Sequence, residues 1–529
     1  MAKRLMTLVA FAATFVVATA TAPLHAQQDP GAPEAPAGAA AAAEGLKRGF
    51  GSLFGAVKDK VTGTNSDKPA IESLKPEPYR KSNESIGEER DLFEKRIAYG
   101  LVYLPSFSAY ANEVLDKLKV ASGVTEIPGK VLIAANDQLD AGSSADGNIT
   151  VSLGYIRSLK SEDEFAALLA HELAHVLLRH HDSNFVGRTQ KQLALLLNSA
   201  MVVRNAFDKA TGNAVSASLS ASQRKTVGKM ELMIKLNDRA LHPAWKRGQE
   251  YEADRLGMDL VIKAGYSYTG GMLPWLEMVG SWEAEQDLKR AEMLTQKQTA
   301  IESLAGSGNI DATIKQGMEL AFNDIVDQFS ATHDGGDKRR EEIDAYYVRV
   351  YQEKVPRPEV NAERYRRAVS RPEVRGVLES YSQLFAARNL IVEQKPEEAW
   401  TILRRVAAPG SPVADHALAN HLAFQALRRM GRMREAEPFL RRSAQAPEPA
   451  WEPIESAADY YRDQSRSAEV LKTGQTAFAQ FSKAPSSYSR LIAMYKRSGL
   501  TDAAQTMMNA CVLQEAERRD ECIKTFKAP

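Results

Sequence analysis

The pattern of hydrophobic and polar positions changes character along the chain. Between residues 85 and 355, helical periodicity alternates with two short runs at 130–135 and 148–153, which contain β-branched residues and predict strands separated by a turn. From about residue 372 the pattern predicts only pairs of helices. The chain is therefore predicted to have a mainly helical α+β fold, in which a domain with a small β-sheet (85–355) precedes an α-helical repeat domain (372–527).

A small residue recurs through the C-terminal helices at intervals of 37, 32 and 36 residues, at Ala399, Ala436, Ala468 and Ala504. These intervals lie near the period of about 34 residues that tetratricopeptide (TPR) repeats show. The full repeat consensus is poorly matched, so a non-repetitive helical domain is the alternative. We predict a TPR-like domain that binds partner proteins.

The first 26 residues carry the pattern of a secretory signal peptide. Lys3 and Arg4 precede an uncharged apolar run at 5–20, and Ala26 supplies a small residue at the predicted cleavage point. An uncleaved N-terminal anchor helix is the alternative, and both interpretations export the rest of the chain. We therefore predict a periplasmic or cell-envelope location.

Residues 27–84 are predicted to form a disordered linker, because their first part is rich in Gln, Pro, Gly and Ala. Within it, residues 46–61 place apolar side chains at helical spacing among four basic ones. This pattern is typical of a short amphipathic helix on an anionic membrane surface, and it predicts peripheral membrane contact. A helix packed on the body of the protein and a disordered segment are the alternatives.

Composition narrows the choice of partners and compartments. A formal net charge of +1 argues against nucleic acid, and a mean hydropathy of −0.35 argues against a protein that spans the membrane several times. The two cysteines, Cys511 and Cys522, would lie about 16 Å apart on a continuous helix, which is too far for a disulfide. A bond requires a turn near residues 517–520, and the sequence leaves both possibilities open.

The candidate chemistry lies on a helix that begins with a capping box at 161–164 and contains His171-Glu172-Leu173-Ala174-His175. Two histidines four residues apart share one helix face, so both imidazoles can bind one metal ion. Glu172 lies about 100° further round the helix, where it can act on water as a general base. Apolar neighbours indicate a buried helix, and buried histidine pairs need a partner. The motif predicts a zinc ion, one per chain.

A catalytic zinc ion takes three protein ligands and keeps one position open. The second helix, which follows Pro243, reads Glu-Tyr-Glu-Ala-Asp at 250–254 and supplies Glu250 as the third ligand. Asp254 shares a face with Glu250 and is expected to fix a ligand histidine by a hydrogen bond. Glu252 points away from that face, so we expect it on the surface or in packing.

Together, HELAH and the EYEAD segment that starts 75 residues after its second histidine resemble the HtpX and CAAX-prenyl-protease type of gluzincin. The resemblance covers roughly residues 88–350. With the signal peptide and the repeats, the architecture is similar to the BepA-like periplasmic members. The resemblance implies a zincin-type catalytic domain that hydrolyses protein or peptide substrates.

The same family carries a Ser-Thr-His-Pro segment with a downstream arginine. Here residues 331–334 read Ala-Thr-His-Asp, and Arg339 and Arg340 follow. The resemblance implies that His333 reaches the active site, where it either stabilises the oxyanion as a catalytic residue or caps the zinc in a latent state. Asp334 replaces the family's proline, and a histidine in a surface loop is the alternative.

The sequence also predicts the roles of three further regions. His180 and His181 are expected at the C-terminus of the motif helix, where a positive charge suits the helix dipole. Residues 148–153 are expected to form an edge strand beside the cleft, with which an extended substrate pairs. Residues 184–240 are expected to be a helical insertion without assigned chemistry.

The sequence therefore predicts a zinc-dependent endopeptidase of the bacterial envelope that cleaves misfolded or misassembled proteins. The alternative is a chaperone or assembly adaptor that acts through the TPR-like domain while the zinc site stays latent. A metal-bound structural protein without activity is disfavoured, because both motifs are complete.

Overall fold

The computed structural model describes residues 68–97, 100–182, 247–285, 336–351, 355 and 358–528. Several predictions lie outside these residues: the signal peptide at 1–26, the amphipathic helix at 46–61, the insertion at 184–240 and His333. The prediction of a disordered linker at 27–84 is wrong for residues 68–84, because this stretch is bound to the rest of the protein. Ile71 N donates a hydrogen bond to Asp259 Oδ2, and Ser82 Oγ donates one to Asp182 Oδ1.

The first part of the described chain surrounds a small sheet with helices. Its helices are α1 (Glu88–Lys95), α2 (Pro105–Ser122), α3 (Leu153–Ser158), α4 (Glu162–Leu177), α5 (Arg247–Lys263) and α6 (Gly336–Tyr351), and its strands are β1 (Val131–Ala134), β2 (Ala141–Ser143) and β3 (Ile149–Ser152). The cap predicted for the motif helix is confirmed, because the Ser161 hydroxyl accepts a hydrogen bond from the backbone N–H of Glu164 at the start of α4.

The sheet has the order β1-β3-β2, with β3 parallel to β1 and antiparallel to β2. The prediction that residues 148–153 form an edge strand is therefore wrong, since β3 is paired on both sides. The edge strands of this sheet are β1 and β2. Strand β2 reads Ala-Gly-Ser and lacks the β-branched residues that mark a strand in a sequence. All four residues of β3 are buried, as is usual for a central strand.

One hydrophobic core joins the sheet to the helices around it. Phe165 of α4 packs against Phe107 of α2 and against Tyr365, with ring centroids 5.8 and 5.9 Å apart. The hydroxyl of Tyr365 donates to the backbone carbonyl of Ile156 at 2.6 Å, so this buried polar group is satisfied. The same core continues into the C-terminal helices as far as Ala426. It holds α4, which is buried along almost its whole length, in a fixed position.

The C-terminal region is entirely helical in the part that the structure describes. Its helices are α7 (Ala362–Val369), α8 (Pro372–Val392), α9 (Pro396–Val406), α10 (Ala417–Arg429), α11 (Met433–Ser443), α12 (Trp451–Asp463), α13 (Ser467–Gln480), α14 (Ser487–Arg497), α15 (Thr501–Gln514) and α16 (Arg519–Lys527). From α8 to α16 each helix packs on the next one, an arrangement consistent with a repeat domain.

The second helices of successive pairs start 37, 34 and 34 residues apart, at Pro396, Met433, Ser467 and Thr501. Three of the predicted small residues, Ala399, Ala436 and Ala504, are fully buried near these starts. Ala468 is exposed, and Val470 takes the buried position three residues after the start of α13. The predicted register was therefore wrong by two residues in this pair, because the position is filled by a valine.

Cys511 and Cys522 form a disulfide, with their Cα atoms 6.5 Å apart. The continuous helix that would have separated them is interrupted. Helix α15 ends at Gln514, a 3-10 turn spans Ala516–Arg518, and α16 begins at Arg519. The turn that the bond requires is thus present, and it settles the alternative that the sequence left open.

Helix α1 contacts both the sheet and the C-terminal helices. On one face, Asp91 accepts hydrogen bonds from Ser144 Oγ at 2.8 Å and Asn148 Nδ2 at 2.7 Å, at the turn between β2 and β3. On another face, Phe93 packs against Trp451 and Phe481, with ring centroids 5.7 and 5.0 Å apart. Helix α1 therefore connects the turn between β2 and β3 to the hydrophobic core of the C-terminal helices.

Asp259 on α5 gives a pH-dependent contribution to stability. Its buried carboxylate accepts hydrogen bonds from Ile71 N, Tyr346 Oη and Tyr351 Oη at 2.9, 3.0 and 2.8 Å. Burial raises the pKa of Asp259 to about 6, in spite of these hydrogen bonds. The folded chain therefore binds this proton more tightly than the unfolded chain, and the resulting stability is lost as pH rises through 6.

We expect this effect to disappear when Asp259 is replaced by Asn, which is neutral at every pH. Between pH 7 and pH 4, the free energy of unfolding of the wild type should rise by about 2 kcal/mol relative to Asp259→Asn. Urea denaturation of both proteins across this range measures the difference. A difference that is independent of pH would contradict the prediction.

Candidate metal centre

The candidate site lies where α4 and α5 pack closely against each other. Gly257 of α5 faces the backbone of α4, and a Cβ atom at this position would lie 3.1 Å from the backbone nitrogen of His171. A glycine therefore allows an approach that a larger residue would hinder. The short distance between the helices brings the side chains of the two sequence motifs together.

Three side chains converge in the buried space between these helices. His171 Nε2 lies 3.1 Å from His175 Nε2. Glu250 Oε2 lies 3.6 Å from His171 Nε2, and Glu250 Oε1 lies 3.6 Å from His175 Nε2. All three residues are at most 3% exposed. Within the described residues this is the one group of His, Cys, Asp or Glu with the spacing of a metal site.

These positions fit a zinc ion. Two donors that bind a tetrahedral zinc at its usual bond lengths are separated by about 3.3 Å, and the observed separations of 3.1 to 3.6 Å lie close to this value. Two imidazoles and one carboxylate are also a donor set that catalytic zinc uses. Glu250 Oε1 is buried without a hydrogen-bond partner among the described residues, which suits an oxygen that binds a metal.

A buried ionic network holds the ligands from behind. Asp254 Oδ1 lies 2.9 Å from His171 Nδ1. Arg339 of α6 binds Asp254 through Nε at 2.8 Å and Nη2 at 2.7 Å, and its Nη1 lies 3.2 Å from Glu250 Oε2. Burial alone would raise the pKa of Asp254, but Arg339 and His171 lower it to about 2. Asp254 is therefore an anion that can keep the proton of His171 on Nδ1 and leave Nε2 free for a metal.

Glu172 lies on α4 beside the two histidines and is 1% exposed. Burial raises the pKa of Glu172 to about 7, although the neighbouring His171 acts in the opposite direction. Its Oε2 atom has no hydrogen-bond partner among the described residues. A carboxyl group in this state can both accept and release a proton near neutral pH.

The structure corrects the interpretation of His180 and extends that of Glu252. His180 Nδ1 lies 2.8 Å from His175 Nδ1, and His180 Nε2 lies 3.2 Å from Glu252 Oε2. Glu252 is partly exposed, in agreement with its expected place at the surface, and it also contacts a histidine next to the candidate metal ligands. Helical angles did not reveal this contact because the chain leaves the helix at Arg179, whose φ of +54° is left-handed.

His181 also differs from its prediction. It is buried, and burial together with the neighbouring His180 lowers the pKa of His181 to about 4, so it does not carry the charge expected at a helix C-terminus. Its Nε2 atom donates to the Ser143 carbonyl at 3.0 Å. In the antiparallel ladder of β2 and β3, Ser144 N donates a hydrogen bond to Asn148 O. The next pair, Ser143 and Ile149, is therefore not hydrogen-bonded, and the Ser143 carbonyl points away from β3. His181 therefore binds the outer edge of β2.

A buried His-Glu-x-x-His helix that meets a glutamate from a second helix defines a class of protein, the metallopeptidases. Residues 108–345, somewhat less than half of the chain, match the model of Peptidase family M48, and the fold of this region is of the zincin type. No helix in the described part of the chain is long and apolar enough to cross a membrane.

Two relatives show the extent of the similarity. The chain is 26% identical over 173 residues to the beta-barrel assembly-enhancing protease of Yersinia pestis, a match that covers 33% of each chain. It is 27% identical over 199 residues to the mitochondrial metalloendopeptidase OMA1 of Schizosaccharomyces pombe, which covers 35% of this chain and 52% of the relative. The chain thus spans between about a third and a half of the length of these two relatives.

Proposed function

We propose that this protein is a zinc-dependent endopeptidase of the bacterial envelope that cleaves misfolded or misassembled proteins. The observation that carries the proposal is the convergence of His171, His175 and Glu250, with the buried carboxyl group of Glu172 beside them. The match to a peptidase family supports peptide hydrolysis as the reaction. The name of the relative from Yersinia pestis supports a role in quality control of β-barrel assembly.

The residues of the site have two roles, metal binding and proton transfer. A zinc ion held by His171, His175 and Glu250 would polarise the scissile carbonyl and make water a nucleophile near neutral pH. Glu172 accepts a proton from the attacking water and then donates it to the leaving amine. Asp254 keeps His171 in the tautomer that can bind metal, while Arg339 balances the charge of the two buried carboxylates.

The proposed location rests on two features at opposite ends of the chain. Residues 1–26 have the pattern of a signal peptide, and Cys511 and Cys522 form a disulfide, which is typical of exported proteins. In this setting the C-terminal helices would bind substrates or partner proteins. The adaptor alternative is less well supported, because the complete donor set and the buried carboxyl group of Glu172 are features of a working site.

Metal analysis of the purified full chain tests this proposal. We expect one zinc ion per chain, and cleavage of an unfolded protein substrate that a chelator stops and added zinc restores. His171→Ala should lose both the metal and the cleavage, because it removes one of three ligands. His416→Ala removes a buried histidine that contacts Tyr381 in the C-terminal helices and should retain both. A wild-type chain without zinc, or a His171→Ala variant that binds it normally, would contradict the proposal.

A further inference from the structure

The two candidate histidine ligands are held in different ways. His171 has a carboxylate directly behind it, since Asp254 Oδ1 lies 2.9 Å from its Nδ1. His175 has another imidazole in this place, with His180 Nδ1 2.8 Å from its own Nδ1. Behind His180 stands a carboxylate, because Glu252 Oε2 lies 3.2 Å from His180 Nε2. Both carboxylates come from α5, the helix that also carries Glu250.

The position of the protons in this chain of contacts follows from chemistry. Two Nδ1 atoms at 2.8 Å form a hydrogen bond only if one of them carries a hydrogen and the other a lone pair. A neutral His175 that binds metal through Nε2 carries its hydrogen on Nδ1. The Nδ1 atom of His180 must then accept, so a neutral His180 has its hydrogen on Nε2. That hydrogen points at the Glu252 carboxylate, which can only accept.

The opposite pair of tautomers, in which His180 donates its Nδ1 hydrogen to His175, is disfavoured at the metal and at Glu252. If His180 donated from Nδ1, the hydrogen of His175 would lie on Nε2, where it would prevent metal binding. The lone pair of His180 Nε2 would then face a carboxylate oxygen at 3.2 Å, which is a repulsive contact. The carboxylate of Glu252 therefore selects, through His180, the tautomer of His175 that can bind a metal.

The backbone holds His180 firmly enough for this role. After the left-handed residue Arg179, a 3-10 turn spans His180–Asp182 and folds back beneath the last turn of α4. The carbonyl of His180 accepts from Gln249 Nε2 at 3.3 Å. Asp182 accepts from Ser82 Oγ at 2.6 Å and Asn83 N at 2.8 Å, which ties the turn to the preceding chain. His180 itself is only 5% exposed.

We propose that His180 and Glu252 are positioning residues that form a relay behind the metal ligand His175. The proposal rests on the zinc site proposed above. It gives His175 the kind of support that Asp254 gives to His171. His180 is not itself a ligand, because its Nδ1 atom approaches the side of His175 that faces away from His171 and Glu250.

A matched pair of substitutions tests the relay. His180→Leu removes the acceptor, whereas His180→Asn has nearly the same shape as leucine and places an amide oxygen where Nδ1 stands. The zinc dissociation constant of the full chain is measured by competition with a chromophoric chelator, and the geometry is followed by the absorption of bound Co²⁺. We expect His180→Leu to raise the dissociation constant by about 10- to 100-fold and to change the Co²⁺ spectrum, and His180→Asn to stay near the wild type.

The role of Glu252 is tested in the same assay and does not require a change in the core, since its side chain is 32% exposed. Glu252→Ala should raise the dissociation constant by about three- to tenfold, less than His180→Leu because it lies one contact further from the metal. Combined with His180→Leu, it should cause no further loss, because the relay is already broken. Glu277→Gln, which changes an exposed carboxylate in the helical stretch 273–285, is the control and should have no effect.

The outcomes separate the relay from the zinc site. If the wild type binds no zinc, the proposed function fails and the relay fails with it. If the wild type binds zinc and His180→Leu binds it equally well, only the relay is overturned. Losses in the double variant that equal the product of the single losses also overturn it. If His180→Leu does not fold, the Glu252→Ala result decides alone, and unchanged zinc affinity there overturns the relay.

Discussion

Glu172→Gln should lower kcat/KM for an unfolded protein substrate by about 10²- to 10⁴-fold, while the chain still binds one zinc ion. Glutamine has nearly the same shape as glutamate, so the packing around this buried position is kept. Its amide cannot accept a proton from water or return one to the leaving amine. The loss should therefore appear in kcat, with little change in KM.

The matched control is Glu250→Gln, the same chemical change on the facing helix. This residue belongs to the metal-binding group, so its substitution should reduce the zinc content and the activity together. Steady-state kinetics and elemental analysis on the two variants thus separate proton transfer from metal binding. Wild-type turnover in Glu172→Gln would show that another group transfers the proton.

The second large effect is expected at Arg339, and it concerns stability. Arg339→Met should lower the free energy of unfolding of the metal-free chain by about 3 to 5 kcal/mol at pH 7. The arginine is 3% exposed and binds Asp254 through two nitrogens and Glu250 through the third. Its removal leaves two carboxylates in the interior without their main compensating charge.

Arg340 provides the control, because it is the next residue on α6 and is exposed. Arg340→Met should change the free energy of unfolding by no more than about 0.5 kcal/mol. Adding Asp254→Asn to Arg339→Met removes one of the unpaired charges and should recover part of the loss. Urea denaturation in the presence of a chelator measures all four proteins, and equal stability of the two single arginine variants would refute the prediction.

Spacing along a helix explains how much of the site the sequence could predict. His171 and His175 share a face of α4, and Glu250 and Asp254 share a face of α5, whatever the rest of the chain does. Whether the face of α4 meets the face of α5 depends on how the two helices pack, which periodicity does not predict. The resemblance to a known family predicts that they meet. The mainly helical fold with a small sheet was predictable for the same reason, because long periodic segments are clear in a sequence.

The missed features depend on backbone geometry or on contacts between distant residues. His180 reaches His175 only because Arg179 adopts a left-handed conformation. This conformation is rare for residues other than glycine, so the sequence does not predict it at an arginine. Strand β2 consists of Ala, Gly and Ser, so no hydrophobic pattern marks it, and without it the sequence places β3 at the edge of the sheet. Arg339 meets Asp254 across 85 positions of the sequence. A role for His333, which lies outside the described residues, stays a prediction.

Because helix α1 contacts both the sheet and the C-terminal helices, removal of the C-terminal helices would affect the peptidase domain. Its Phe93 packs against Trp451 at the start of α12 and against Phe481 just after α13. Its Asp91 binds the turn that follows β2, the strand beside Glu172. A chain shortened before Trp451 would uncover Phe93 and loosen the support of that turn. Lost activity would then report damage to the catalytic half and not the absence of a bound partner. Exposed positions on the C-terminal helices, changed one at a time, are where partner binding can be tested without disturbing the peptidase.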